Sequence, residues 1–228
     1  MMMQFRNRAE AGLRLAKKLA KHADRPDVLV LALPRGGVPV GYEVARALNA
    51  PLDVFVVRKL GVPGHEELAM GAIASGGVRV LNRSVVDSLG IDGPTIDAVA
   101  AEELRELKRR EQAYRDDRPA LDLQDRTVIL VDDGIATGST MFAAISALRQ
   151  HGAAHIAVAT PVIARETYQA MRREVDELVA VLVPEDFRGV GQWYEDFSQT
   201  TDEEVRGLLE RSVEREVGEV DETFPTGL

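Results

Sequence analysis

Two carboxylates side by side at the end of an apolar run are the first residues in this chain with an evident chemical use. Val128-Ile129-Leu130-Val131 leads into Asp132-Asp133-Gly134-Ile135, and Ala136-Thr137-Gly138-Ser139-Thr140 follows directly. An apolar strand needs neither aspartate, so both can reach past its end, where paired carboxylates accept hydrogen bonds from the vicinal hydroxyls of a ribose. Hydroxyl residues around a glycine at a helix start suit a monophosphate, because the first backbone N–H groups are unpaired and the helix dipole favours an anion there. The lysine and glycine spacing of a Walker A loop are missing, and so is the dinucleotide fingerprint. An ordinary strand-to-helix turn with a hydroxyl cap would use the same residue types.

A second glycine-rich stretch, Leu33-Pro34-Arg35-Gly36-Gly37-Val38-Pro39-Val40-Gly41, offers backbone amides that a ligand can approach closely. The chain carries a formal charge of -9, from 37 acidic residues against 28 Lys plus Arg, so positive charge for a polyphosphate has to be placed rather than abundant. Arg35 supplies a planar guanidinium suited to paired phosphate oxygens, and Arg58-Lys59 is a second basic pair. His65, Glu66 and Glu67 lie in a polar stretch where solubilising charge is the plain reading. With no cysteine and four scattered histidines, thiolate and zinc-type sites are not expected, and a metal would be a hard, oxygen-bound ion such as Mg²⁺.

The elements that must position these groups read as an α/β alternation. Ala9, Leu13, Ala16, Leu19 and Ala20 recur at helical spacing, and Val28 to Ala32 is a fully buried strand. A helix over 38–48 and a strand over 53–57 follow, then a polar excursion over 58–67 and an antiparallel pair, 71–75 and 78–82, around Gly76-Gly77. Residues 95–115 form one long helix, with Ile96, Val99, Ala100, Leu104 and Leu107 inward and Glu106, Arg109, Arg110 and Glu111 on a solvated face. The second half gives strand 127–131, helix 140–150, strand 155–159, helix 165–174 and strand 178–183. Apolar strands alternating with helices imply a mostly parallel sheet covered on both faces, with ligands at the carboxyl ends of its strands.

At 228 residues, 45% hydrophobic and 29% charged, the chain is long enough for one domain spanning 1–228. Within it a flap or hairpin covers about 58–76, a small hood about 184–200, and a C-terminal helix 201–218 that frays beyond Gly218. Thr201 and Glu204 have capping-box spacing at the start of that helix. The N-terminal stretch is amphipathic, without an apolar core long enough for a leader or a span, so a cytoplasmic protein with no membrane partner is expected. The acidic balance and the lack of a basic stripe argue against nucleic acid.

Val128 to Thr140 resembles the signature loop of the type I phosphoribosyltransferases. That resemblance implies an α/β fold with a mostly parallel central sheet flanked by helices, a small hood and a flexible flap. It implies Asp132 and Asp133 on the ribose of 5-phosphoribosyl 1-pyrophosphate, with contact to Mg²⁺ only through water, and Ala136, Thr137, Gly138, Ser139 and Thr140 on the 5-phosphate. The segment from Leu33 is similar to the family's pyrophosphate loop, which implies Arg35, Gly36 and Gly37 there and a nonproline cis peptide, expected between Arg35 and Gly36. Adenine and orotate members have a similar Arg-Lys at the foot of their loop, which implies pyrophosphate contacts for Arg58 and Lys59 and a mobile cover over 61–67. Val183-Pro184-Glu185-Asp186-Phe187, Val190-Gly191 and Glu195 are similar to the base-binding end of the hypoxanthine-guanine enzymes, which implies Phe187 and Glu195 at the acceptor. The chain departs from those enzymes at Ala136, where they carry an aspartate, and at Ala164, where they carry a lysine. Trp193 and Tyr194 fit either a base pocket or packing that pins the C-terminal helix.

Phe197-Ser198-Gln199-Thr200-Thr201-Asp202-Glu203-Glu204 is similar to a bacterial and archaeal branch of the family that gives no acceptor. The expected activity is phosphoribosyl transfer to a nitrogen of a nucleobase-like acceptor, with Arg35, Lys59, Asp132 and Asp133 as the catalytic set; a homodimer is compatible. The alternative is a noncatalytic regulatory protein that captures the same sugar or a nucleotide.

Overall fold

The computed structural model describes residues 4–115, 118 and 121–222. Five parallel strands make the central sheet: β1 (Val28–Ala32), β2 (Leu52–Val54), β6 (Thr127–Val131), β7 (His155–Val162) and β8 (Glu177–Leu182), in the order β2-β1-β6-β7-β8. β1 and β6 are buried at every position, as a sheet covered on both faces requires. Their register aligns Ala32 with Val131, so the loops that follow them leave the same edge side by side.

Helices α1 (Arg8–Lys18) and α2 (Gly37–Leu48) cover one face, with α7 (Asp202–Glu222) packed on α2. Helix α5 (Ser139–Gln150) covers the other face: Met141, Ala144, Ile145 and Leu148 join Leu29, Leu31, Val128, Leu130, Ile156 and Val158 in one apolar layer. Two short helices, α3 (Arg83–Leu89) and α6 (Arg165–Met171), and the long α4 (Gly93–Arg115) complete the set. Among the described residues no helix is long and apolar enough to cross a membrane.

A second, antiparallel sheet in the order β3-β4-β5 is formed by β3 (Val57–Val62), β4 (His65–Ala74) and β5 (Val78–Leu81). This corrects two expectations. The strand expected over 53–57 breaks after Val54, and Val57 begins the antiparallel sheet instead. The stretch 58–67, expected as a polar loop, is a β-hairpin turning at Pro63-Gly64, where Gly64 takes φ 77°. Its alternation is masked because only Leu60 and Val62 are buried in β3, while the first four residues of β4 are exposed.

Two further expectations change, and one helix is added that the sequence reading did not include. The buried face of α1 is Ala11, Gly12, Leu15 and Ala16, continued by Leu19 just past its end, with Leu13 42% exposed, because the Ala11-Leu15-Leu19 row at i, i+4 spacing is the one that meets the sheet and α2. Helix α3 follows its N-cap Asn82, whose side chain accepts from the Val85 N–H at 3.3 Å. Helix α7 continues past Gly218 to Glu222.

Candidate functional site

The two glycine-rich loops close on each other at the carboxyl ends of β1 and β6. The Leu33 N–H donates to Val131 O at 2.9 Å, carrying the β1–β6 pairing one residue beyond the sheet. Gly36 then lies so close to the acidic corner that a Cβ there would stand 2.0 Å from Asp133 Oδ2. This is the physical reason for glycine at that position. The cis peptide joins Pro34 to Arg35, one bond earlier than expected; Gly36 instead takes helical angles, φ -61° and ψ -30°, as the residue capping α2.

Asp132 and Asp133 follow Val131 at the mouth of this corner. Asp132 Oδ1 accepts from the Asp133 N–H at 2.8 Å. Burial pushes the Asp132 carboxyl well above the ordinary carboxylate range, and the neighbouring Asp133 charge pushes it further. Burial also raises Asp133, opposed by the guanidinium of Arg8, whose Nε donates to Asp133 Oδ2 at 2.8 Å. The Tyr194 hydroxyl donates to Asp133 O at 2.6 Å, and burial raises that phenol.

Beyond the carboxylates the chain bends around a small cavity of ≈ 160 Å³ lined by Asp132, Gly134 and the run from Ile135 to Met141. Gly138 takes φ 75° immediately before α5, a left-handed conformation that turns the chain into the helix. Thr167, on α6, donates its hydroxyl to Ala136 O and ties the loop down, and Thr137 and Ser139 hydroxyls lie 3.2 Å apart at the rim. Two motif residues, Thr137 and Ser139, stand at the solvent edge of this turn, so the open first turn of α5 is accessible from outside.

The basic residues divide. Lys59 lines a second cavity, ≈ 370 Å³, between the antiparallel sheet and α5, which it shares with Ser139 and Thr140; its ammonium stands 3.8 Å from Glu67. Arg58, one step along the strand, points to the other side and pairs with Glu103 of α4 at 2.7 Å. Arg35 is partly exposed, with Nη1 3.7 Å from Asp202 at the start of α7. Asp202 also accepts from the Tyr114 hydroxyl at 2.8 Å, and burial with that carboxylate raises the Tyr114 phenol to about 12.

At the end where an acceptor was expected, Phe187 is partly buried against an apolar cluster of Phe5, Ala11, Val162, Trp193 and Tyr194. Glu195 is exposed, and its backbone N–H donates to Phe5 O at 2.8 Å. Neither lines the two cavities above. Trp193 and Tyr194 are packing residues, but the partner they hold is the N-terminal segment through Phe5, not the C-terminal helix. Sequence reasoning missed Arg8, Tyr194 as a contact of Asp133, and Phe197. Arg8 opens a helix that carries several other charges, and nothing in its spacing points to the acidic corner 125 residues away.

A parallel sheet carrying a carboxylate pair and an open helix start at one strand end is the phosphoribosyltransferase type of fold, and the chain belongs to the phosphoribosyl transferase domain family, whose profile matches residues 4–195. It is 46% identical over 211 residues to Rv0571c and MT0597 of Mycobacterium tuberculosis, strains H37Rv and CDC 1551, both provisionally named phosphoribosyl transferases. The match covers 92% of this chain and 47% of theirs, so the chain spans about half the length of these relatives. The crystal structure of TT1426 from Thermus thermophilus is 42% identical, with a TM-score of 0.81, and the match covers 91% of this chain and 98% of that one.

Proposed function

We propose that this chain binds 5-phosphoribosyl 1-pyrophosphate and transfers its phosphoribosyl group to a nitrogen of a flat, nucleobase-like acceptor, releasing pyrophosphate. The observation that carries this reading is the meeting of three donor sets at one sheet edge. The Asp132-Asp133 carboxylates suit ribose hydroxyls, the Ala136–Thr140 turn suits a 5-phosphate, and Gly36-Gly37 bring backbone against the carboxylates, while Arg35 beside them, 3.7 Å from Asp202, carries a guanidinium suited to pyrophosphate.

In this reading the nitrogen forms a bond to C1 as the C1–oxygen bond to pyrophosphate breaks, and positive charge develops on the ribose ring. The chain forms no covalent bond. The carboxylates and the phosphate turn fix the sugar so that C1 meets the nucleophile, and Arg35 and Lys59 meet charge that grows on the leaving group. The β3–β4 hairpin, whose tip is exposed, is the cover that keeps water from competing with the acceptor.

Among the described residues no group of three carboxylates or histidines could hold a metal by itself. The adjacent carboxyls of Asp132 and Asp133 fit Mg²⁺ as a companion of the pyrophosphate, met through water, as hydrated Mg²⁺ commonly is. Bound there, it would neutralise charge on the leaving group.

One observation favours a second reading, noncatalytic capture of the sugar or of a nucleotide for regulation: Phe187 is engaged by an apolar cluster and Glu195 faces solvent, and neither lines the cavities beside the sugar site. A pyrophosphate-release screen decides between the two, using the sugar, Mg²⁺ and a panel of nucleobases and small amines, with Asp132→Asn/Asp133→Asn as control. Release with one flat base supports transfer. Tight sugar binding without acceptor-dependent release supports capture, and no sugar binding at any concentration refutes both.

A further inference from the structure

The N-terminal segment reaches the acidic corner from outside every motif. Arg8 is the first residue of α1, and its side chain is only 12% exposed. Nε donates to Asp133 Oδ2 at 2.8 Å and Nη1 to Ser198 O at 2.6 Å. The guanidinium carbon lies 4.1 Å from the centroid of the Phe197 ring, which stacks on Tyr194 at 5.0 Å; Tyr194 in turn donates to Asp133 O. Backbone bonds fix this arrangement: Phe5 N–H to Trp193 O and Glu195 N–H to Phe5 O, both 2.8 Å, and Asp196 N–H to Arg6 O at 2.9 Å.

Asp133 Oδ2 is thus committed. Arg8 holds it on one side, and Gly36 is packed so closely on another that a Cβ would meet the same oxygen at 2.0 Å. The Arg8 bond favours this orientation of the carboxylate, and Oδ1, which takes no hydrogen bond among the described residues, is the oxygen left for a ligand. A planar guanidinium held against an aromatic ring fixes a carboxylate's direction in a way a mobile ammonium does not.

We propose that Arg8 is a positioning residue of the sugar site: braced by Phe197 and Ser198, it sets Asp133 so that Oδ1 faces a sugar hydroxyl. This rests on the ribose reading of Asp132 and Asp133. A merely structural Arg8, tying α1 to the 193–198 segment, would affect every ligand of the site alike, whereas a positioning Arg8 affects the part of the ligand that Asp133 touches.

The test compares two probes that need no metal. Inorganic phosphate carries no sugar hydroxyl and reports on the phosphate-type loops alone; ribose 5-phosphate adds the sugar hydroxyls. Dissociation constants are measured by NMR titration for the whole chain, for Arg8→Met, which keeps an unbranched apolar stem, and for Phe197→Leu, which keeps Arg8 but removes its ring. Arg8→Met is expected to weaken ribose 5-phosphate by about tenfold, the factor one hydrogen bond to a charged acceptor carries, and to leave phosphate unchanged. Phe197→Leu gives a smaller loss with the same selectivity and serves if Arg8→Met does not fold. Equal losses for both probes, or no loss for ribose 5-phosphate, overturn the role of Arg8. If the unmodified chain binds ribose 5-phosphate no better than phosphate, the ribose reading itself fails and takes this inference with it.

Discussion

Replacing Asp132 by asparagine should make the unliganded protein more stable at neutral pH while removing its grip on the sugar. The carboxyl of Asp132 is pushed well up by burial and then by the Asp133 charge, so the folded chain holds its proton more tightly than the unfolded chain does. For such a group the sign is opposite to that of a salt-bridged aspartate. Its favourable contribution is complete below the unfolded value of about 3.9 and is lost as pH rises through the higher folded value. Each unit by which the folded value exceeds the unfolded one is about 1.4 kcal/mol of stability lost once the pH has passed the folded value.

Asparagine keeps the geometry. Its Oδ1 can still accept from the Asp133 N–H, a 2.8 Å bond in the native chain, and position 132 lines the ≈ 160 Å³ cavity, where an amide can find water. It also removes the like charge beside Asp133, and the Arg8–Asp133 pair stays in place. In a chain of this size one kcal/mol moves Tm by roughly 2–4 °C. Thermal unfolding of Asp132→Asn and the unmodified chain, followed by circular dichroism at intervals from pH 4 to pH 8, should show the variant several degrees more stable at pH 7 to 8, with the gain shrinking toward zero near pH 4. Titrating groups away from Asp132, Asp133 and Tyr194 are common to both proteins and cancel in the difference. A variant no more stable at pH 8, or a gain independent of pH, would refute the reasoning.

Asp132→Asn/Asp133→Asn should stay folded and lose most of its affinity for ribose 5-phosphate, measured by calorimetry, because amides replace both carboxyls that would take the sugar hydroxyls. Gly36→Ala places a Cβ 2.0 Å from Asp133 Oδ2, so it should cost about 1–3 kcal/mol in denaturant unfolding and weaken sugar binding as the carboxylate is displaced. Gly138→Ala puts a side chain at φ 75° and within 2.8 Å of Thr167, and should destabilise by roughly 1–3 kcal/mol while weakening inorganic phosphate more than it weakens the fold. Lys59→Ala should lower pyrophosphate release more than it weakens sugar binding if its ammonium meets charge only as the leaving group departs; equal turnover in the variant would exclude that role.

Much of the fold was legible because the signals are local. Val28 to Ala32 and Thr127 to Val131 are runs too apolar to be anything but buried strands, and the Asp132 to Thr140 turn combines carboxylates, glycine and hydroxyls within one loop. Residue chemistry and chain order thus determined the α/β class, the acidic corner and the phosphate-type turn. Where polar residues dominated, the signal failed: the β3–β4 hairpin read as a loop, since the exposed residues on both strands hid the alternation that sends Lys59 toward α5 and Arg58 toward Glu103. The intimacy of the two glycine loops was decided by the Ala32 to Val131 register, which brings Gly36 against Asp133 across about a hundred residues of sequence. Only the tertiary structure could add Arg8 and Phe197, because a side chain from the first helix and a ring near the last one meet at Asp133 through contacts that no spacing in the sequence encodes.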